Sequence, residues 1–185
     1  MDIYSKAIDA YNKACSLVEG LFKEIKDEKL VKERFSRKKM MENFDILVQY
    51  SMMQVALSDK DFSSKEVKFI SKLSKYCSFV TYLNNLGFND VTWDKLFFIK
   101  AEVLKSILDK IKVNVQELSE DFIKYFSLID AKKPDCDYAK ELYNYMIAIM
   151  SAVILSDGKW KESEKELPLI IVAIAIIKQR KKNIK

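Results

Sequence analysis

Only three glycines and two prolines punctuate the 185 residues of this chain. β-Hairpins and sandwiches rest on tight turns that draw on these two residues for positive φ or a preset bend. A chain so poor in them is confined to long elements joined by few turns, and such elements are helices. Hydrophobic residues make up 49% of the sequence, enough for a packed interior in one domain of this length. The expected fold is all-α, a helical bundle of about seven or eight helices forming a single domain over 1–185.

Several function classes drop out on composition. Histidine is absent, which removes Ser-His-Asp and Cys-His catalysis and imidazole-bound zinc. No Gly-rich phosphate loop occurs, and no catalytic residue is nominated. Cys15, Cys77 and Cys136 are odd in number, far apart and without a C-x-x-C pair. That argues against a disulfide framework and for a cytoplasmic protein. Met1-Asp2-Ile3-Tyr4 has no basic stretch leading into an apolar one, so no signal peptide is expected. The net charge of +5 comes from 32 basic and 27 acidic residues, closely mixed. This is not a nucleic-acid-binding composition, and no nucleic-acid partner is expected.

Along the chain, Ile3, Ala7, Tyr11, Ala14, Val18, Leu21 and Ile25 recur at helical spacing and predict an amphipathic helix over 2–30. Residues 26–39 are dense in charge and read as a solvated connection. A basic partner-binding patch at Arg34, Arg37, Lys38 and Lys39 is the lesser reading. A mostly apolar helix follows over 43–57. Ser63 and Glu66 have capping-box spacing and open another helix, with Val67, Ile70, Leu73 and Cys77 as its buried stripe. Residues 78–90, with Asn84, Asn85, Gly87 and Asn89, read as a loop with at most one helical turn. Thr92 caps a helix to about Lys112, and Asn114 with Glu117 caps the next, to about Ala131. After Pro134, Asp135 or Asp137 caps a helix carrying the apolar run 145–155. A last apolar run, 169–177, ends in a basic tail. Both runs are apolar all round and should be central to the core, though a membrane-surface role for the second is the lesser reading. Neither reaches the roughly 20 residues needed to span a bilayer.

One stretch occurs twice. Ser58-Asp59-Lys60-Asp61-Phe62-Ser63-Ser64-Lys65-Glu66 ends one apolar helix and opens an amphipathic one. Ser156-Asp157-Gly158-Lys159-Trp160-Lys161-Glu162-Ser163-Glu164 does the same later in the chain. Each has an aromatic three residues after the Asp and a Glu seven after it. The halves around the two copies are about 43–78 and 137–181, which implies an internal pseudo-twofold duplication.

This doubled pattern resembles the acidic helix-turn-helix signature of the TerB-like tellurite-resistance family, A-D-G-x-x-x-x-x-E-x-x-x-I. The first copy matches through Asp59, Glu66 and Ile70, the second through Asp157, Gly158 and Glu164. The departures are Lys60 for the Gly, Ser58 and Ser156 for the Ala, and Pro168 for the apolar residue. The resemblance implies an all-α bundle of two related halves. It also implies a non-enzymatic role in response to metal or oxyanion stress, with protein partners and a divalent cation held by the acidic turns.

The residues themselves support two readings. Asp59, Asp61, Ser63 and Glu66 place oxygens along a tight turn, as hard cations such as calcium or magnesium require. A true EF-hand fails, since Ser64 stands where Gly is wanted and Ile70 where a bidentate Glu is wanted. If the halves pack about a twofold axis, Asp59, Asp61, Glu66, Asp157 and Glu164 are the candidate metal ligands. The competing reading is a helical interaction scaffold without metal, whose acidic turns only cap helices. A metal-dependent hydrolase is a third and weaker reading. Phe62 and Trp160 read as core plugs, as do Phe122, Phe126, Tyr143 and Tyr145 on their helical stripes.

Overall fold

A computed structural model describes residues 2–29, 36–58, 62–73, 78–133 and 137–156. Among these residues every regular element is a helix: α1 (Ile3–Asp27), α2 (Arg37–Leu57), α3 (Ser64–Leu73), α4 (Ser78–Asn85), α5 (Trp93–Phe97), α6 (Ala101–Lys132) and α7 (Tyr138–Ile154). The all-α expectation therefore holds for them. No helix among them is long and apolar enough to cross a membrane. The apolar run 169–177 and the basic tail lie outside the described residues.

α1 forms where its stripe predicts. The Asp2 carboxylate accepts the Ser5 N–H at 2.8 Å and so caps its start. Ala7, Tyr11, Ala14, Val18, Leu21 and Ile25 are buried along one side. The helix stops at Asp27 rather than residue 30, and Lys29 just beyond it turns left-handed, with φ 55°.

α2 begins well before position 43. Ser36 caps it, its hydroxyl accepting the Lys39 N–H at 3.2 Å. Of the basic patch, Arg37 is spent on Glu19 at 2.6 Å and Lys38 lies 3.8 Å from Glu42; Arg34 lies outside the described residues. α2 packs against α1, α4, α6 and α7, and from Asn43 to Met53 every side chain is buried. It, rather than α7 with its apolar run 145–155, is the most enclosed of the described helices. α7 buries Leu142, Met146, Ile149, Met150 and Val153 but leaves Ala148 exposed. Enclosure depends on how many neighbours surround a helix, and hydropathy alone does not reveal that.

Residues 78–90 correct the loop expectation. α4 is a two-turn helix because Phe79 and Leu83 plug fully into the core, outweighing the poor helix propensity of its Ser, Thr and Asn residues. It ends in a Schellman motif: Phe88 N–H bonds to Leu83 C=O and Gly87 N–H to Asn84 C=O, both at 3.1 Å. Gly87 takes φ 88°, the left-handed conformation this motif requires. Asn84 then clips the following loop, donating to Val91 C=O and accepting Val91 N–H, both at 2.9 Å.

Two further boundaries move. Thr92 does cap a helix, through Lys95 N–H at 3.2 Å, but that helix is the five-residue α5. The chain extends at Lys100 and restarts as α6, which runs 32 residues without a break at Asn114. The capping-box spacing at Asn114 and Glu117 is overridden by the stripe Leu104, Leu108, Ile111, Val115, Ser119, Phe122, Phe126 and Ile129. That stripe is buried without interruption across the exposed Asn114. Ending the helix there would turn half the stripe to water, at about 1.5–3 kcal/mol per large apolar side chain. Phe122 and Phe126 are core residues as expected, while Tyr143 and Tyr145 are half-buried against the core. Asp137 precedes α7 but makes no side-chain cap bond.

Where α1 ends, it is held to the α6–α7 junction. Glu24 accepts a hydrogen bond from the Tyr138 hydroxyl. Lys133 Nζ lies 2.8 Å from Glu24 Oε2, an ion pair without hydrogen-bond alignment. Glu28 pairs with Lys132. Burial works to raise the Glu24 pKa, but Lys133 and Tyr138 outweigh it and hold the carboxyl below its ordinary value.

Candidate functional site

Of the five acidic residues nominated from the sequence, Glu66 is described. Asp59, Asp61, Asp157 and Glu164 lie outside the described residues. Glu66 is only 1% exposed and closes the anticipated capping box. Its Oε2 accepts the Ser63 N–H at 2.7 Å, and its own N–H donates to Ser63 Oγ at 3.2 Å. Val67 N–H bonds back to Ser63 C=O, which makes Ser63 the N-cap. A capping residue contributes about 1 kcal/mol, so this carboxylate already has a structural task. Phe62 packs half-buried against the core, as a plug should; Trp160 lies outside the described residues. Among the described residues no three acidic or cysteine side chains form a metal-binding group.

The helices that lead into the two copies end alike. Ser58 N–H bonds to Val55 C=O at 3.1 Å and Ser156 N–H to Val153 C=O at 3.0 Å, the same tight closing turn. They differ in the hydroxyl: Ser58 Oγ donates back to Val55 C=O at 2.7 Å, whereas the buried Ser156 Oγ has no hydrogen-bond partner among the described residues.

α3, which carries Glu66, and the end of α7, which leads into Asp157, share an open groove of about 630 Å³. The start of α1 forms its third wall. Ile3, Tyr4, Phe69 and Leu155 supply apolar surface, and Lys65, Lys68 and Lys72 line the α3 side. The floor is ordered by an edge-to-face contact of Tyr4 and Phe69, with ring centroids 5.4 Å apart. Lys72 Nζ stands 5.2 Å from the centroid of Tyr4, on its face. Asp2 sits at one end, its pKa lowered mainly by the Ser5 N–H bond. The sequence reading of this helix named its buried stripe and its cap, and did not single out Lys65, Lys68 and Lys72. What places them beside the apolar ends of α1 and α7 is the packing of α3.

A second cluster was also missed. Asp45 is fully buried in α2. Its carboxylate accepts the Tyr11 hydroxyl at 2.6 Å from α1 and the Ser78 N–H at 3.1 Å from the start of α4. Three helices are thereby joined at one side chain. Burial pushes the Asp45 carboxyl above its ordinary value, although Tyr11 and Ser78 pull against that rise. Burial, then the Asp45 charge, raises the Tyr11 hydroxyl above its ordinary value as well. Gln49, one turn on and fully buried, lies near enough to favour the charged carboxyl, yet among the described residues its amide makes no hydrogen bond of proper geometry. Cys15 is a buried thiol beside Tyr11. The available signal was a pair of polar residues at i and i+4, Asp45 and Gln49, inside an otherwise apolar run.

Compared with protein-family models, with curated proteins and with solved structures, the chain finds no match.

Proposed function

We propose that this protein is a non-enzymatic helical interaction protein of the stress-associated kind implied by the TerB-like resemblance. Its action is to dock a protein partner. The observation that carries this reading is the groove of α1, α3 and α7, where large apolar side chains lie open beside a row of lysines. Glu66 supports it from the other side, since its carboxylate caps α3. The test is survival of a tellurite-sensitive bacterium expressing the full chain. Raised tolerance that is lost in the K65E/K68E/K72E variant, with the variant still folded and equally abundant, supports the reading. Tolerance equal to that of an empty vector argues against the stress role.

A second reading keeps a calcium or magnesium ion at Asp59, Asp61, Glu66, Asp157 and Glu164, the two corners facing one another as duplicated halves. It is favoured by the matching closing turns at Ser58 and Ser156 and by the neighbouring of α3 and the end of α7. A bound ion stabilises the folded form by mass action. Calcium or magnesium titration should then raise the melting temperature, and D59N/D157N should abolish the rise. A melting temperature indifferent to both ions leaves the acidic turns as helix caps alone.

A further inference from the structure

We propose that the groove takes an acidic amphipathic segment of a partner protein, seated with its apolar side on the floor and its carboxylates along α3. This rests on the interaction reading above and names the chemistry of the partner. Ile3 is 38% exposed and Leu155 39% exposed; they are large apolar side chains meeting water at one place, beside Tyr4 and Phe69. Lys65, Lys68 and Lys72 are all exposed. They follow one another at helical spacing, so their stems leave the same side of α3 over about 10 Å. Among the described residues none of the three forms an ion pair. Lys72 is already drawn over the Tyr4 ring, so its charge is held at the groove rather than swept through solvent. The complementary ligand carries carboxylates at similar intervals on one helical face and one or two bulky apolar residues on the adjoining face.

Charge separates this occupant from the others. A second copy brings a net +5 to a basic rim. Residues 157–185 hold eight basic side chains against four acidic ones, a net sign opposite to that of the proposed ligand. An anionic bilayer matches the sign but offers no apolar side chain spaced to meet Tyr4 and Phe69, and the vesicle comparison below separates it from a peptide. Asp2 at one end sets polarity, turning ligand carboxylates away from α1 and toward α3.

The experiment is fluorescence anisotropy with the full chain at low salt. The probe is a fluorescein-labelled peptide of about 14 residues, with Glu at i, i+3 and i+7 and Leu on the neighbouring face. Saturable binding is expected, weakened about tenfold or more by K65E/K68E/K72E, a change confined to exposed rim charges. The I3S/L155S variant, which keeps every charge, should weaken it several-fold. Charge reversal at Lys181 and Lys182 should leave it unchanged. Four results overturn the proposal. The first is no binding. The second is equal binding of polyglutamate, which has no apolar anchor. The third is stronger binding to vesicles containing phosphatidylserine than to the peptide. The fourth is protection of Lys65, Lys68 and Lys72 from acetylation in the unliganded chain relative to Lys6, which means that the chain covers its own groove. A parent chain that confers tellurite tolerance but does not bind the peptide would sink the partner chemistry and leave the stress role standing.

Discussion

Replacing Asp45 with alanine should be among the most damaging single changes outside the apolar core. The side chain is fully buried, and among its partners are the Tyr11 hydroxyl and the Ser78 N–H, whose hydrogen bonds it accepts. Alanine leaves both donors buried without an acceptor, and each such orphan costs about 1–3 kcal/mol. Relief of the buried charge offsets part of this, so the net cost should be about 3 kcal/mol, a large share of the 5–15 kcal/mol typical of a domain. Urea unfolding followed by far-UV circular dichroism would measure it, and hydrogen exchange should show α4 amides losing protection first. Asparagine tests the charge separately. It can accept from Ser78 through its carbonyl while its amide donates to the Tyr11 oxygen, so D45N should cost about 1 kcal/mol or less at pH 7. The pH dependence has a definite sign. Burial raises the Asp45 pKa above its unfolded value of 3.8, so between those two values the folded protein binds an extra proton. The stabilising contribution is fully present below the unfolded pKa and is lost as pH rises through the folded one. The advantage of the parent over D45N should therefore be larger at pH 4 than at pH 7. A D45A cost under about 1 kcal/mol would show that this carboxylate does not tie the three helices together. A parent advantage that shrinks toward pH 4 would show that its hydrogen-bond donors outweigh burial and depress its pKa.

Other outcomes follow from particular contacts. Gly20 and Gly87 both have open space where a Cβ would go, but they should respond in opposite directions. Gly20→Ala, inside α1, should stabilise by about 1 kcal/mol. Gly87→Ala, at φ 88°, should destabilise by about 1–2 kcal/mol; both are readable as shifts in urea midpoint. Ser63→Ala and Glu66→Ala should each cost about 1 kcal/mol or somewhat more, with the double variant costing less than their sum because they share one capping box. Strict additivity in urea melts would mean that the two do not act together. Phe44→Ala, fully buried and 6.1 Å from the Phe122 ring centroid, should cost about 3–5 kcal/mol by the same assay.

Much of the fold was open to reading from local pattern. The scarcity of turn formers and the apolar periodicity of α1 and α3 announce helices without reference to anything distant. Thr92 and the Ser63–Glu66 pair likewise cap where they stand, because both partners of a capping bond lie within three residues. The losses came wherever a local signal competed with burial. Asn114 and Glu117 carry a correct capping pattern in a place where the stripe from Leu104 to Ile129 keeps α6 whole. Ser78 to Asn85 looks like loop composition, yet Phe79 and Leu83 reach the core and make it helix.

The site divides along the same line. That Glu66 answers Ser63 follows from spacing along one chain. That α3's lysines stand beside Ile3 and Leu155, and that Asp45 joins Tyr11 to Ser78, depends on residues more than thirty positions apart meeting in space. Sequence carries the periods and caps of single helices, since those are set by steps of three and four residues. Which faces meet is decided only when the whole apolar surface is buried at once, and the groove and the buried carboxylate are products of that collective choice.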